Sequence, residues 1–134
     1  MKKFAELQYV RPDMEKIFAR VSGDIAVLKE AKSYEEFRNA YMDYVEADTE
    51  LETSKTVAYV RNTINLLDEF YEAEMVYFNS QMPKYEILKK EMGEVIVASP
   101  FKAEMEKEFG AILIQNMEAQ KQLSDESIVD DQVK

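Results

Sequence analysis

The apolar residues between positions 14 and 28 recur at the three- and four-residue spacing of an amphipathic helix. Pro12 and Asp13 precede this stripe and suit a helix start, because the first turn needs no amide donor from proline. Gly23 lies off the stripe and costs about 1 kcal/mol relative to alanine without ending the helix. The pattern predicts a first helix that opens at Pro12 and Asp13 and buries Met14, Ile17, Phe18, Val21, Ile25 and Leu28.

A second helix is predicted to open at Ser33, which forms a capping box with Glu36, each side chain able to satisfy the other residue's backbone amide. From Ser33 to Ser99 the chain contains a single proline and a single glycine. One unbroken helix of roughly 65 residues would be about 98 Å long, too long for a domain of this size. The chain must therefore reverse direction inside this segment.

Three places qualify for the reversal: the polar segment 46–55, the segment from Asn65 to Asp68, and Pro83. Asn65 tolerates the left-handed conformation that ends helices, and Asp68 is a good N-cap for the next helix. Pro83 is expected to kink a helix rather than end it, because the apolar register continues across it. That register consists of Tyr71, Met75, Phe78, Met82, Tyr85, Met92 and Ile96. We predict the reversal at Asn65–Asp68 and assign the register to the core.

The remaining sequence predicts further helices. Ser99 reads as a helix cap with Pro100 in the first position, Gly110 as a break, and Ser124 or Asp125 as another N-cap. No segment shows the alternation of a strand. The predicted class is all-α, an antiparallel helical bundle of about four to five helices with a long helical hairpin. We divide the chain into an N-terminal helical domain, residues 1–123, and the start of a further, truncated helix, residues 124–134.

A line of polar residues accompanies the apolar stripe before the predicted reversal. Arg61, Asn65 and Asp68 fall along nearly the same helical face as Val57, Val60, Ile64, Leu67 and Tyr71. The interpretation we favour is a helix-turn-helix corner, in which Arg61 and Asp68 pair or cap backbone groups. The alternative is that these side chains contact a substrate or another domain.

Composition and charge limit the classes of function that the chain can have. Hydrophobic residues make up 46% of the 134 residues, which is enough for a packed core. The net charge of −10 argues against binding to nucleic acid or anionic membranes. The longest aliphatic runs span four residues, far short of the ~20 that cross a bilayer. The charged first residues do not resemble a signal peptide, so we expect a cytoplasmic protein.

The chain contains no cysteine and no histidine. These absences exclude a catalytic Ser-His-Asp triad, a thiol nucleophile and the usual zinc sites. None of the three glycines lies in an EF-hand pattern. The acidic clusters Glu46–Glu52 and Asp125–Asp131 are interpreted as solvated faces. We expect no catalytic residue, metal ligand or cofactor in this chain.

Five segments together resemble the N-terminal part of the oligoendopeptidase F family of zinc metallopeptidases. They are KFAELQYVRPD, SYEEF, AYVRNTINLLDEFYEAE, SPFKAEMEKEFG and LSDESIVDD, in that order. The resemblance covers nearly the whole chain. The most specific are the run from Ala58 to Tyr71 and the later Ser99-Pro100-Phe101. Family members tend to have small polar residues where this chain has Leu66 and Leu67, so the turn is expected to be tighter or more buried here.

The resemblance implies the N-terminal helical domain of a much longer, zinc-dependent oligopeptidase. In such enzymes an HExxH helix and a later glutamate hold zinc, and none of these residues has a counterpart in this chain. The domain would help to wall the substrate channel, with the catalytic domain as its partner and oligopeptides as substrates. The candidate structural or channel-wall residues are Arg61, Thr63, Asn65, Asp68 and Tyr71.

Two other functions remain open from the residues alone. One is a stand-alone acidic helical module that binds a partner protein through leftover apolar surface. The other is an acidic decoy for a basic partner. In the truncated-domain interpretation the residues after Ser124 lack a partner, so we expect them to fray or to be held by a contact with another molecule. We also expect the chain to have some tendency to self-associate.

Overall fold

A computed structural model describes the backbone of residues 8–133 and the side chains of residues 8–123. Five helices account for most of this range, and no strand occurs in it. The predicted all-α class is therefore confirmed. The helices are α1 (Met14–Glu30), α2 (Tyr34–Ile64), α3 (Glu69–Ala98), α4 (Lys102–Phe109) and α5 (Ala111–Val133).

Helix α1 has the buried face that its apolar stripe predicts, but the predicted place of Pro12 in the first turn is wrong, because the helix begins at Met14 and Pro12 precedes the N-cap. Asp13 is the N-cap, and its Oδ1 accepts a hydrogen bond from the backbone amide of Lys16 at 3.2 Å. Gly23 lies inside the helix without ending it. Ile17 is half-buried, and the rest of the stripe is buried: Met14, Phe18, Val21, Ile25 and Leu28.

Helices α2 and α3 form the predicted long hairpin. They contain 31 and 30 residues, so each is about 45 Å long. The four residues from Asn65 to Asp68 connect them, which makes them antiparallel neighbours and confirms the predicted reversal. Helix α3 runs through Pro83 without ending.

The start of α2 differs in one detail from a reciprocal capping box. Ser33 is the N-cap, and its Oγ accepts from the amide of Glu36 at 3.2 Å, as predicted. The Glu36 carboxylate instead accepts from the amide of Lys32, one residue earlier than predicted, at 3.2 Å. The Glu36 side chain therefore binds the segment between α1 and α2 just before the N-cap.

Two predictions about the later helices are wrong. Ser99 does not cap the next helix with Pro100 in its first position: it is the C-cap of α3, and α4 begins only at Lys102. Between the two helices, Ser99 Oγ accepts a hydrogen bond from the amide of Phe101 at 3.0 Å and forms a turn. No helix begins at Ser124 or Asp125, because α5 continues through them to Val133. No glycine or proline interrupts residues 111–133. The division into units at residue 123 and the fraying beyond it stay predictions; the side chains of 124–134 lie outside the described residues.

Gly110 forms the predicted break between α4 and α5. Its φ of 101° and ψ of 150° lie in a region of backbone space that is essentially restricted to glycine. Its amide donates to the carbonyl of Glu106 at 2.9 Å and completes the last turn of α4. The break redirects the chain so that α5 can lie along α3.

The core lies where α1, α2 and α3 meet, and it extends beneath α4 and α5 along the second half of α3. The predicted core register of α3 is confirmed: Phe78, Tyr85, Met92 and Ile96 are buried, and Tyr71, Met75 and Met82 are partly buried against them. Phe37 and Leu51 of α2 and Met105 of α4 are also fully buried. None of the described helices has an apolar stretch of the length and hydropathy needed to cross a bilayer.

Candidate functional site

The turn between α2 and α3 is held by its own polar side chains. Asn65 Oδ1 accepts from the amide of Leu67 at 3.2 Å, and the Asn65 carbonyl accepts from the amide of Asp68 at 3.1 Å. Asp68 Oδ1 accepts from the amide of Phe70 at 2.9 Å, which is the predicted N-cap. The left-handed conformation suggested for Asn65 is wrong: its φ is −136°, and its side chain makes the turn instead.

The other three candidate residues also make contacts within the hairpin. Arg61 Nη1 donates to the hydroxyl of Tyr71 at 3.1 Å and so joins the end of α2 to the start of α3. Thr63 Oγ1 donates to the carbonyl of Tyr59 at 2.9 Å, one turn earlier in α2. The structure therefore places all five predicted residues at one end of the hairpin and brings Arg61 and Tyr71 into contact.

The apolar side chains at this end of the hairpin face solvent. Ile64 is 75% exposed, Leu66 73%, Leu67 91% and Phe70 56%; we call these four residues the tip patch. The expectation that Leu66 and Leu67 make the turn more buried is wrong. The hydrogen bonds of Asn65 and Asp68 fix the backbone of the turn beyond the last core residues, and both leucines lie outside the core formed by the described residues.

A buried carboxylate lies next to this end of the hairpin. Glu74 is 3% exposed and accepts from the Tyr9 hydroxyl at 2.6 Å and from Arg11 Nε at 3.0 Å. The Arg11 guanidinium also lies 4.1 Å from the centre of the Tyr77 ring. Hydrogen bonds from Arg11, and then from Tyr9, lower the pKa of Glu74 despite its burial. This cluster fastens the segment before α1 to α3.

Glu74 did not enter the sequence predictions. It lies three residues after Tyr71 and four before Phe78, so it shares the core-facing side of α3. An acidic residue at such a position is the signal that would have identified it, because a buried carboxylate requires partners. Its partners Arg11 and Tyr9 lie 63 and 65 residues earlier in the chain, and no sequence pattern identifies them as partners of Glu74.

Two aspartates share a partly buried site between α1 and α2. Arg20 Nη2 donates to Asp43 Oδ1 at 2.7 Å, while Oδ2 of Asp24 is buried without a hydrogen bond to any described group. Burial and a hydrogen bond with Asp43 raise the pKa of Asp24 to about 7. When Asp24 is protonated, its carboxyl group can therefore donate a hydrogen bond to the carboxylate of Asp43.

A groove of about 350 Å³ lies over α3, between α2 and α5. Lys89 and Met92 of α3 line it with Tyr44 and Asp48 of α2 and Met117 of α5. The polar groups at Asp48 already have partners within the protein, because the hydroxyl of Tyr85 donates to Asp48 Oδ1 at 2.6 Å and Lys89 Nζ lies 4.0 Å from the same oxygen. Across residues 8–123, no three acidic side chains converge as a metal site requires.

Comparison with known proteins gives a family and several solved structures. The family model described as peptidase M3 N-terminal domain matches residues 4–124. Comparison with curated protein sequences gives no match. PZ peptidase A, solved with an inhibitor, is 30% identical over 87% of this chain, with a TM-score of 0.84. An oligoendopeptidase F is 29% identical over 90% of the chain, with a TM-score of 0.85.

A third structure extends the likeness in fold. An oligoendopeptidase F from Bacillus anthracis str. Ames is 23% identical over 88% of the chain, with a TM-score of 0.83. The matched region makes up only 21%, 21% and 22% of these three proteins. The chain thus spans about a fifth of the length of its solved relatives.

Proposed function

Because this chain belongs to the peptidase M3 N-terminal domain family, we propose that it is the N-terminal helical domain of a zinc-dependent oligopeptidase. In this proposal the domain forms part of the wall of a substrate channel that admits short peptides. The match of the family model to residues 4–124 is the observation that carries the proposal. The likeness to PZ peptidase A supports it.

Zinc would be bound outside this chain. Structural and catalytic zinc sites use histidine or cysteine, and the sequence has neither. The residues of this chain therefore do not fit a zinc site. The proposal assigns the zinc ligands and the water-activating glutamate to a catalytic domain, which would be the domain's principal partner.

The domain's own contribution is a rigid wall. Two helices of about 45 Å pack along each other and along α1, with large side chains such as Phe78 and Tyr85 buried between them. We assign Asn65, Asp68 and Arg61 to the structural support of the hairpin, because each makes a hydrogen bond within it. A cytoplasmic location belongs to the same proposal.

A chimera tests this function. The segment of PZ peptidase A that matches this chain would be replaced by residues 1–134, and cleavage of a short quenched peptide would be compared with that of a chimera lacking the segment. We expect the full chimera to cleave the peptide and the deleted form to lose activity. A full chimera that folds but does not cleave, or a deleted form that is equally active, would contradict the proposal and favour a stand-alone interaction module.

A further inference from the structure

The tip patch exposes four large apolar side chains to solvent. Its four members lie within seven consecutive residues, and one of them, Phe70, packs edge-on against Tyr9 with ring centres 6.2 Å apart. Isolated exposed leucines are common, but four large apolar side chains exposed together at the end of a helical hairpin are typical of an interaction surface.

The backbone beneath the patch is held by contacts within the hairpin. Asn65 and Asp68 fix the turn, and the rings of Tyr9, Phe70 and Tyr71 pack edge-on against one another, with centres 4.9 to 6.2 Å apart. A surface held in one conformation loses little entropy when it binds. The backbone that carries the leucines is therefore already held before binding, and only the leucine side chains have to be ordered in a pocket.

We propose that the tip patch is a docking surface for another part of the same peptidase polypeptide, outside the 134 residues. This inference rests on the proposed function. The solved relatives are nearly five times as long as the matched region, so most of such a polypeptide lies outside it and is available as the occupant.

Charge favours this occupant over a second copy of the chain. Around the patch, residues 59–73 carry Arg61 against Asp68, Glu69 and Glu72, and the whole chain has a net charge of −10. Two copies placed tip to tip would bring like charges together. The receiving surface is expected to be an apolar pocket with lysine or arginine at its rim.

The absence of cysteine makes a direct test possible. Leu67→Cys places one thiol in the patch, and Ile87→Cys places one on α3 about 26 Å away along the helix, at a comparably exposed position of 67%. Both thiols would be labelled with a maleimide in the isolated chain and in the PZ peptidase A chimera, with the modified peptide identified by mass spectrometry. We expect similar rates in the isolated chain and roughly tenfold or slower labelling of Leu67→Cys alone in the chimera.

A pair of serine variants gives a second measurement. In the chimera, Leu66→Ser with Leu67→Ser should weaken attachment of the domain by roughly tenfold to a hundredfold per leucine, measured as faster protease cleavage at its junction. Ile87→Ser with Ile112→Ser is the matched control and should leave cleavage unchanged, because both isoleucines are mostly exposed, at 67% and 73%, but lie away from the patch.

Each alternative outcome is decisive. Unchanged labelling of Leu67→Cys in an active chimera would overturn the docking inference and leave the proposed function intact. A chimera that folds but does not cleave would contradict the proposed function and the inference together. Concentration-dependent dimers of the isolated chain that the serine pair at Leu66 and Leu67 abolishes would assign the patch to a second copy and also overturn the inference.

Discussion

Arg11 and Glu74 are 63 residues apart in the chain, and the Arg11 Nε lies 3.0 Å and 3.1 Å from the two carboxylate oxygens of Glu74. This contact ties the segment before α1 to α3, one turn below the hairpin tip. The carboxylate is buried, and the Tyr9 hydroxyl donates a further hydrogen bond to it. The pair thus determines where the start of the described chain lies against the bundle.

Loss of this carboxylate should destabilise the fold. We expect Glu74→Ala to lower the free energy of unfolding by about 2 kcal/mol, because Tyr9 and Arg11 lose their acceptor and a small cavity remains. Glu91→Ala is the matched control: Glu91 pairs with Lys29 at 3.0 Å on the surface and should cost less than about 0.5 kcal/mol. Urea denaturation measures both, and equal losses would contradict the prediction.

The aspartate pair between α1 and α2 predicts a pH dependence. Folding raises the pKa of Asp24 to about 7, so between pH 4 and pH 7 the folded state holds a proton that the unfolded state has released. The contribution of Asp24 to stability is therefore largest at low pH, falls as the pH rises to about 7 and is constant above it. Urea denaturation at pH 5, 6, 7 and 8 measures this fall.

Asp24→Asn provides the control for that measurement. Asparagine keeps a hydrogen-bond donor towards Asp43 at every pH. The variant should therefore lack the decrease in stability with rising pH that the ionisation of Asp24 causes. Relative to the wild-type chain, it should gain stability as the pH rises from 5 to 8. Parallel pH profiles of the two proteins would show that Asp24 is ionised throughout and would contradict the shared proton.

The N-cap of α3 should contribute measurably to the hairpin. Asp68→Ala removes the acceptor for the amide of Phe70 and is expected to cost about 1 kcal/mol. Asp68→Asn keeps a side-chain oxygen and should cost only a few tenths of a kcal/mol. Thermal unfolding followed by circular dichroism distinguishes them, and equal losses would mean that charge rather than capping matters at this position.

The chain offers a matched pair of glycines. Gly110→Ala should destabilise by about 1–3 kcal/mol, because φ of 101° strains any residue with a Cβ although no described atom crowds the site. Gly23→Ala has equally open space inside α1 and should instead stabilise by about 0.5–1 kcal/mol. Urea denaturation of both variants gives the sign, and a stabilised Gly110→Ala would contradict the assigned backbone conformation.

The isolated chain should bind no zinc stoichiometrically and cleave no peptide, because it supplies neither histidine nor cysteine ligands. Elemental analysis after dialysis and a quenched-peptide assay measure the two properties. The PZ peptidase A chimera, which contains the rest of a peptidase, is the positive control. One equivalent of zinc retained by the isolated chain would contradict this prediction and the assignment of the metal site to another domain.

The sequence by itself determined the class of the fold and the place of the hairpin turn. The periodic apolar residues of α1 and α3 predict their buried faces because a helix can bury only one stripe, and that stripe repeats every three to four residues. Chain length forbids one helix from Ser33 to Ser99, and Asp68 has the chemistry of an N-cap. These are local properties, which short segments already express.

The tertiary structure alone decided how the polar and apolar residues at the hairpin tip are used. Glu74 is buried because Tyr9 and Arg11 reach it from a distant part of the chain, and no periodicity encodes that pairing. Leu66 and Leu67 are of the residue type that forms cores, yet they are exposed because, within the described part of the chain, no helix packs over the turn. A side chain's burial depends on which other segments fold against it, and that is set by the packing of the whole bundle rather than by its neighbours in sequence.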